Sequence, residues 1–472
     1  MPKRTNHEIL IFIRQEPEAN LMLRRRIESE IDAFFKTNIK SALLIIGARQ
    51  IGKTYIIRDY CKSNYDNFVE INFIENRAAV DLFDNASDSD DIITRLSLLT
   101  DVPLVLGKTI IFFDEVQECK ELVTAIKFLV DDGRFRYILS GSLLGVELKS
   151  IRSIPVGYLQ IFDMYPLDFE EFCMANNVSD AVTKRLHASF DNKTPVDELI
   201  NNKMLELFHL YLVVGGMPAA VDEYIKTKNL SIVGRIQSGI VRQYKQDIAK
   251  YDPDNKLYLD EIFELIPSEL NSKNKRFIMK NLNENFKLSR YENSFIWLKE
   301  AGVALPAYCA NEPTVPLILS KSTNLFKLFL SDIGLLSAMY SDGIQMKVLS
   351  NESDINCGAI YENAVAQELH AHGFKLYYFN TKKQGEVDFL IELGDRVIPI
   401  EIKSGKTYSR HHALDNLISS KEYNIENGYV FADTNVSSNG KITTYPIYFI
   451  DFIRKQQNTD DMIYDMDMSV LQ

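Results

Sequence analysis

The stretch Gly47-Ala-Arg-Gln-Ile-Gly-Lys-Thr54 decides the fold of the first part of this chain. It follows the apolar run 42–46, whose composition predicts a buried strand, and it precedes residues 55–60, which continue as a helix. An octet of this spacing between a strand and a helix predicts a phosphate-binding loop, because its glycines let backbone N–H groups approach phosphate oxygens. The loop residues are Gly47, Ala48, Arg49, Gln50, Ile51, Gly52, Lys53 and Thr54.

Two side chains of this loop have expected roles toward ATP and Mg²⁺. Lys53 is placed to reach the β- and γ-phosphates, and the hydroxyl of Thr54 is placed to ligate the magnesium ion. The alternative is a glycine turn that happens to spell the same pattern, and the flanking strand and helix argue against it. The octet therefore predicts a site for a nucleoside triphosphate and its metal.

A second informative stretch, Thr109–Gln117, carries two adjacent carboxylates. Four consecutive large apolar residues predict a strand buried on both faces, as in a parallel sheet. Asp114 and Glu115 follow at the expected carboxyl end of that strand, where open α/β sheets bind ligands. We expect Asp114 to hold Mg²⁺ through water and Glu115 to orient and deprotonate the attacking water.

The next predicted strand begins at Arg136 and ends in the small polar residues Ser140 and Ser142. Hydroxyls at this position can sense the γ-phosphate or position water, and an ordinary Ser-Gly turn is an equal alternative. Strands and helices alternate from Ser41 to Phe162, which predicts a doubly wound parallel sheet.

The composition limits the remaining possibilities. A chain of 472 residues needs about two to four domains. No apolar stretch is long enough to cross a membrane and the N-terminus lacks a secretion signal, so we expect a cytoplasmic protein without a membrane partner. The net charge of −12 argues against wholesale binding of nucleic acid, although a local basic stripe could bind it. Five scattered cysteines predict buried thiols rather than a metal site: Cys61, Cys119, Cys173, Cys309 and Cys357.

The combined motifs resemble a known family. The phosphate loop, the Asp-Glu-x-Gln and Ser-Gly-Ser segments, Tyr165–Phe172 and Gly215–Pro218 are similar to the bacterial and archaeal AAA-type ATPases that carry a C-terminal domain of unknown function, DUF4143. Such proteins usually have Gly-Arg before the tyrosine, whereas this chain has Gly157-Tyr158. Arg152 is our candidate for the missing arginine that stabilises transition-state charge.

The pattern along the chain predicts five segments. These are an AAA-type ATPase domain with an N-terminal helix (1–170), a helical lid or adaptor (171–250), a winged-helix-like domain (251–345), a restriction-endonuclease-like DUF4143 domain (346–456) and an acidic tail (457–472). The charge run Arg24–Arg26 predicts a solvated helix face, and the rival is a helix that packs near the nucleotide. The Gly215-Gly216 pair is better explained by helix punctuation than by ligand contact.

The winged-helix prediction rests on three helical segments, 256–265, 272–282 and 290–301, followed by an apolar stretch that the resemblance places in a β-wing. A local basic stretch suits phosphate contacts, but the third helix is acidic and apolar, so protein contact is at least as good an interpretation. The basic residues are Lys273, Lys275, Arg276, Lys280, Lys287 and Arg290.

Carboxylates among apolar residues on adjacent C-terminal strands can converge on one metal. Glu401 and Lys403 lie on one face of their strand because side chains alternate along it. The resemblance to the PD-(D/E)xK nuclease core implies that Glu362, Asp388 and Glu401 bind Mg²⁺ and that Lys403 activates water at a phosphodiester. The alternative is a lone Glu401–Lys403 ion pair.

Two hypotheses follow for the function. In the first, ATP binding and hydrolysis reposition a nuclease-like domain that acts on DNA or RNA. In the second, the C-terminal domain is inactive in cleavage and binds nucleic acid, a protein partner or a second copy of the chain. A nucleotide kinase or a GTPase is a third reading, without a recognisable guanine-specificity motif to favour it.

Overall fold

The computed structural model describes residues 23–37, 39–83, 88–142, 157–251, 256–272, 275–278, 288–340, 343–350, 357–405, 408–455 and 466. Arg152 lies outside these residues, as do Lys273, Lys280 and Lys287. Most of the predicted acidic tail is outside them as well.

A five-stranded parallel sheet forms the first layer and confirms the predicted parallel architecture. Its spatial order is β2-β3-β4-β1-β5, so the strand before the phosphate loop lies inside the sheet. The strands are β1 (Ala42–Ile46), β2 (Asn67–Asn72), β3 (Thr109–Asp114), β4 (Arg136–Gly141) and β5 (Leu159–Asp163). The accompanying helices are α1 (Ile27–Lys36), α2 (Lys53–Asn64), α3 (Ser89–Leu99) and α4 (Lys120–Asp132), with 3₁₀ turns at Arg77–Leu82 and Val116–Glu118.

Strand β3 shows why its sequence has no polar interruption. All six of its residues are buried. Ile110 and Phe112 belong to the apolar core on one face of the sheet, and Ile111 and Phe113 belong to the core on the other face. A strand covered on both faces needs a continuous apolar run. The polar side chains that can reach a ligand therefore come at the carboxyl end of β3, at the edge of the sheet.

A helical layer follows the sheet. Its helices are α5 (Phe169–Ala175), α6 (Asp180–Asn192), α7 (Glu198–Val214), α8 (Pro218–Thr227), α9 (Leu230–Tyr251), α10 (Lys256–Asn271) and α11 (Leu288–Glu300). Between α7 and α8, a Cβ on Gly216 would lie 2.0 Å from the carbonyl oxygen of Leu167. The Gly-Gly pair thus ends one helix and also lets two backbones meet.

The C-terminal part contains a mixed eight-stranded sheet in the order β12-β13-β11-β10-β9-β8-β6-β7. Its strands are β6 (Ala304–Ala310), β7 (Lys321–Leu330), β8 (Tyr377–Thr381), β9 (Gly385–Leu393), β10 (Arg396–Lys403), β11 (Gly428–Ala432), β12 (Ser437–Asn439) and β13 (Ile442–Pro446). The helices are α12 (Ile333–Met339), α13 (Ile344–Leu349), α14 (Gly358–Ala371) and α15 (His412–Ser419), with 3₁₀ turns at Leu317–Ser320 and Ile447–Phe452.

The predicted winged helix is not confirmed. Residues 275–278 of the expected second helix are not helical, and the N–H of Phe277 instead donates to the carbonyl of Phe326 in β7, at 3.0 Å. Strand β6 pairs in parallel with β8, with Tyr308 opposite Tyr377. The strands expected as a wing therefore extend the C-terminal sheet, because pairing with β8 satisfies an edge that a separate wing would leave open. The predicted boundary between residues 345 and 346 falls within this unit.

One apolar core runs from the phosphate-loop side of the first sheet, through the helical layer, to the C-terminal sheet. The five cysteines are buried and form no disulfide bonds within the described residues, as predicted. In the part of the chain that the structure describes, no helix has both the length and the apolar character needed for a membrane span.

Candidate nucleotide-binding site

The phosphate loop joins the end of β1 to the start of α2, as predicted. Gly47 has φ +151°, and a Cβ there would lie 2.2 Å from the carbonyl oxygen of Met164. Gly52 precedes α2 with φ 92°. Both positions exclude ordinary side chains, so the loop remains close enough to its surroundings for its N–H groups to face a ligand.

Lys53 is the first residue of α2 and is buried. Its Nζ donates hydrogen bonds to the carbonyl oxygens of Gly47 at 3.0 Å and Ala48 at 2.7 Å. Burial lowers the pKa of Lys53 to about 8, against the opposing influence of Glu115 and Asp114. The ammonium is thus held inside the loop at the position from which it can reach bound phosphates.

Asp114 lies at the end of β3 and collects hydrogen bonds from three elements. The hydroxyl of Thr54 is 3.1 Å from both carboxylate oxygens, the amide of Asn72 donates at 2.9 Å, and Ser140 donates to Oδ1. Burial raises the pKa of Asp114, although the bonds from Ser140 and Thr54 act against it. The carboxylate is therefore fixed beside the hydroxyl with which it was predicted to share a magnesium ion.

Asn72 was missed by the sequence reasoning, and a usable signal existed. It is the last residue of β2 and pairs in register with Asp114 of β3. Ser140, which was expected to sense phosphate or position water, bonds to Asp114 instead. Strand ends that coincide at one sheet edge bring such side chains together.

Glu115 has a left-handed backbone conformation, with φ 58° and ψ 47°. For a residue other than glycine this conformation costs about 1–2 kcal/mol. Its carboxylate accepts hydrogen bonds from Gln117 and, at 3.2 Å, from Ser142. Strain of this kind collects at functional sites, where the surrounding structure holds it.

A cavity of about 920 Å³ opens beside the loop. Its lining includes Lys53, Thr54 and Glu115 on one side and residues of α8 and α9 on the other. Arg49 of the loop forms a 2.6 Å ion pair with Asp247 of α9, and Tyr244 donates to the Arg49 carbonyl at 3.0 Å. The volume falls in the usual range of about 300–1,000 Å³ for ligand pockets, and α9 closes it from the helical layer.

The interpretation of Arg24–Arg26 as a solvated helix face is wrong for Arg25. This side chain precedes α1, is buried, and pairs with Glu171 at 2.9 Å. It also donates to the carbonyl oxygens of Ile51 at 2.9 Å and Tyr165 at 2.6 Å. The rival interpretation, packing near the nucleotide loop, fits the structure because Arg25 bonds to the loop carbonyl of Ile51 and lines the cavity.

The C-terminal carboxylates Glu362, Asp388 and Glu401 lie on α14, β9 and β10. Two lysines, Lys275 and Lys327, form ion pairs within this set. Lys327 of β7 is fully buried, with its Nζ 3.2 Å from Glu362, 2.9 Å from Glu386 and 3.9 Å from Asp388. Lys275 also pairs with Glu362. These contacts raise the pKa of Lys327, whereas burial alone would lower it.

The expected metal set of Glu362, Asp388 and Glu401 is therefore not assembled. Their ligand atoms do not come within 4.8 Å of one another as a group in the described part of the chain. Asp388 accepts a 2.8 Å bond from the backbone of Ile402, and Lys403 pairs with Glu401 at 2.7 Å. Lysines from two elements distant in sequence supply the positive charge assigned to Mg²⁺, so these residues do not fit a metal as arranged.

The predicted basic stretch also has a structural role in its described part. Lys275 pairs with Glu362, and Arg276 lies 3.8 Å from Glu386. Both cations therefore face carboxylates of the chain itself. These carboxylates compete with the phosphate groups that the two cations were expected to contact. Arg290 lies on α11.

Comparison with known proteins agrees with this layout. Residues 40–173 match the model of the AAA domain family, and residues 357–449 match that of DUF4143, a domain of unknown function. Residues 40–173 are thus similar to AAA domains, and residues 357–449 are similar to DUF4143 domains. Residues 205–347 match a further domain of unknown function, DUF8612, which covers most of the helical layer and strands β6 and β7. No curated protein matches the chain significantly.

Several solved structures are similar at low sequence identity. A Walker-type ATPase of Pyrococcus abyssi has 14% identity, with 67% of this chain and 96% of that chain covered and a TM-score of 0.39. The ORC1 protein of Aeropyrum pernix, solved in complex with DNA, has 12% identity, coverage of 71% and 92%, and a TM-score of 0.26. PCH-2 of C. elegans has 12% identity, coverage of 45% and 65%, and a TM-score of 0.26. These TM-scores are low, so the domain assignment rests on the family models.

Proposed function

We propose that the chain is an ATP-hydrolysing switch whose AAA domain controls a C-terminal domain that binds a partner without cleaving nucleic acid. The observation that carries the first half is that Lys53, Thr54 and Glu115 line one cavity, with Asp114 3.1 Å from the hydroxyl of Thr54.

The loop residues divide the work of binding. Backbone N–H groups between Gly47 and Thr54 surround the phosphates, with the positive end of α2 behind them. Lys53 leaves the loop carbonyls and pairs with phosphate oxygens. Thr54 and Asp114 fit a magnesium ion, because a hydroxyl and a carboxylate lie 3.1 Å apart at one edge. Bound there, magnesium neutralises charge on the phosphates.

Glu115 acts as the base in this proposal. Its carboxylate lines the cavity, and Ser142 and Gln117 hold it in place. It orients the attacking water and accepts its proton. The arginine that would stabilise transition-state charge stays a prediction at Arg152.

Helix α9 is the element through which the AAA domain influences the rest of the chain. It contacts the loop through Asp247 and Tyr244. At its other end, Gln237 donates to the carbonyls of Val213 and Val214 at 2.9 Å, beside the Gly215-Gly216 turn. A change in the loop therefore has a direct path to the helical layer.

An ATPase assay tests the first half of the proposal. Lys53→Ala removes the phosphate-binding cation, so we expect turnover to fall at least about 100-fold. Lys62→Ala, an exposed position on the same helix, is the matched control and should turn over like the unchanged protein. Equal turnover by the two variants would contradict the assignment of the loop.

The second half of the proposal rests on Lys327. A fully buried ammonium among Glu362, Glu386 and Asp388 occupies the charge position that a nuclease reserves for its metal. Such a site favours an interaction domain, because fold alone does not carry the chemistry. Nucleic acid, a protein or a second copy of the chain is the candidate partner.

A cleavage assay separates this proposal from the nuclease hypothesis. DNA and RNA are incubated with the protein and Mg²⁺ or Mn²⁺, with and without ATP. We expect no cleavage above that of Lys403→Ala. Cleavage that disappears in Lys403→Ala and persists in Lys382→Ala, an exposed control, would restore the nuclease.

A further inference from the structure

A buried cluster at the junction of the two domains contains three side chains of metal-ligand type. Asp168 follows the AAA sheet, His372 follows α14, and Asp451 lies in the 3₁₀ turn Ile447–Phe452. One ligand atom of each lies within 4.8 Å of the others, and all three residues are buried. No role was assigned to any of them by the sequence reasoning.

The hydrogen bond of His372 determines which ring nitrogen is free. Nδ1 lies 2.9 Å from the carbonyl oxygen of Ile453, and a carbonyl only accepts, so Nδ1 carries the proton. In the neutral ring, Nε2 then presents its lone pair to the cluster. This atom is fully buried and has no hydrogen-bond partner.

Three carboxylates face that lone pair. Nε2 lies 3.6 Å from Asp168 Oδ2, 3.7 Å from Asp451 Oδ1 and 3.9 Å from Glu368 Oε2. These separations are too long for hydrogen bonds. A lone pair and three acceptor groups in one dry space repel each other unless a cation or a proton lies between them.

The separations suit coordination. Tetrahedral ligands about 2.0–2.2 Å from a zinc ion are about 3.3–3.6 Å apart. The distances from His372 Nε2 to the carboxylate oxygens are 3.6–3.9 Å, and the three ligand atoms lie within 4.8 Å of one another, so side-chain movements of about 1 Å or less would close the cluster on an ion. A neutral imidazole with its other N–H bonded to a carbonyl is also the usual form of a histidine ligand.

The charges around the cluster favour the binding of a cation. Arg26 pairs with Asp168, and Arg454 pairs with Asp451 at 3.1 Å. Glu368 accepts hydrogen bonds from neutral donors, the N–H of Phe169 at 3.1 Å and the hydroxyl of Tyr211 at 2.8 Å. The cluster therefore holds three buried carboxyl groups against two arginines, and a bound cation would offset the remaining negative charge.

We propose that Asp168, His372 and Asp451 bind a divalent transition-metal ion of the zinc type, with Glu368 beside it. The ion links the end of the AAA domain to α14 of the DUF4143 domain. Asp168 also caps α5 by accepting from the Glu171 N–H at 2.9 Å, so the ion holds the start of the helical layer as well. This site is separate from the nucleotide cavity and does not depend on ATP hydrolysis.

The test uses the full chain, purified without a polyhistidine tag and stripped with EDTA. Zn²⁺ is added in the presence of excess Mg²⁺, which fills the nucleotide-site metal position, and unbound metal is removed by desalting. We expect elemental analysis to find one retained zinc ion per chain. His372→Gln should weaken zinc binding at least about tenfold, whereas His412→Gln, an exposed control, should retain it.

Thermal unfolding gives a second readout. Zinc should raise the unfolding midpoint of the unchanged protein and of His412→Gln, because it binds the folded state, but not that of His372→Gln. If His372→Gln does not fold, Asp451→Asn decides, and it should also lose the zinc. An unchanged protein that retains no zinc, or a folded ligand variant that retains as much as the control, would overturn the proposal and leave a metal-free ionic junction.

Discussion

The phosphate-loop site and the C-terminal carboxylate cluster contain the same types of side chain but pair them differently. Each combines buried carboxylates with a buried lysine. At the loop, Lys53 bonds to backbone carbonyls, and Asp114 is held by neutral donors. In the C-terminal cluster, Lys327 pairs directly with Glu362 and Glu386.

The difference shows what leaves a carboxylate available to bind a metal ion. Neutral donors orient a carboxylate and leave its charge available for a magnesium ion. An ammonium within the cluster neutralises the carboxylates, so the fold is stable without a ligand. The C-terminal motif has its carboxylates neutralised by buried lysines, which the sequence pattern of the motif does not reveal.

The largest expected effect tests the phosphate-loop site. Glu115→Gln keeps the shape of the side chain and removes the base, so ATP turnover should fall about 10²–10⁴-fold while ATP binding persists. Turnover and equilibrium binding are measured on the same preparation. Glu121→Gln, exposed on α4, is the control, and normal turnover by Glu115→Gln would remove it from the catalytic role.

The next largest effect tests the C-terminal carboxylate cluster. Lys327→Met leaves Glu362 and its neighbours buried without their cation, which should lower the free energy of unfolding by about 3–5 kcal/mol. Urea unfolding measures it, with the exposed Lys383→Met as the control. Adding Glu362→Gln to Lys327→Met should recover part of the loss. A stable Lys327→Met single variant would show that the lysine does not neutralise the cluster.

A smaller effect probes how Asp114 is held. Ser140→Ala removes one hydrogen bond to this carboxylate, and a bond to a charged group contributes about 1.5–3 kcal/mol. We expect turnover to fall about tenfold or somewhat more, with a loss of stability no larger than about 3 kcal/mol. If Ser140 sensed phosphate rather than positioned Asp114, the loss would appear mainly in the affinity for ATP over ADP.

The smallest effect concerns the link to α9. Asp247→Asn weakens a partly exposed ion pair with Arg49, and such pairs contribute about 0.2–1 kcal/mol. ATP affinity should therefore change less than about fivefold. A much larger change would mean that α9 does more than close the cavity.

Much of the nucleotide site could be predicted because its signals are local. The loop glycines, Lys53, Thr54 and the pair Asp114-Glu115 lie next to the strands and the helix that position them. Asn72 was within reach, since it ends the strand that pairs with β3. Arg25 was not, because its partners Glu171 and Tyr165 are about 140 residues away.

The C-terminal site was predicted less well for the same reason. Glu362, Asp388, Glu401 and Lys403 belong to neighbouring elements, but Lys327 comes from a strand assigned to another domain. Its place in the cluster depends on the pairing of β6 with β8, which alternation of residues does not reveal. Residues 275–278 of the helix expected at 272–282 are similarly not helical, because tertiary pairing at Phe277 overrides local helix preference.

The most direct test of the central claim is equilibrium binding of ATP, in the presence of Mg²⁺, to the unchanged protein, to Lys53→Ala and to Lys62→Ala. The account predicts tight binding by the unchanged protein and the exposed control, and affinity at least about tenfold weaker for Lys53→Ala, which loses a charge-assisted phosphate contact. Equal affinity in all three proteins would contradict it.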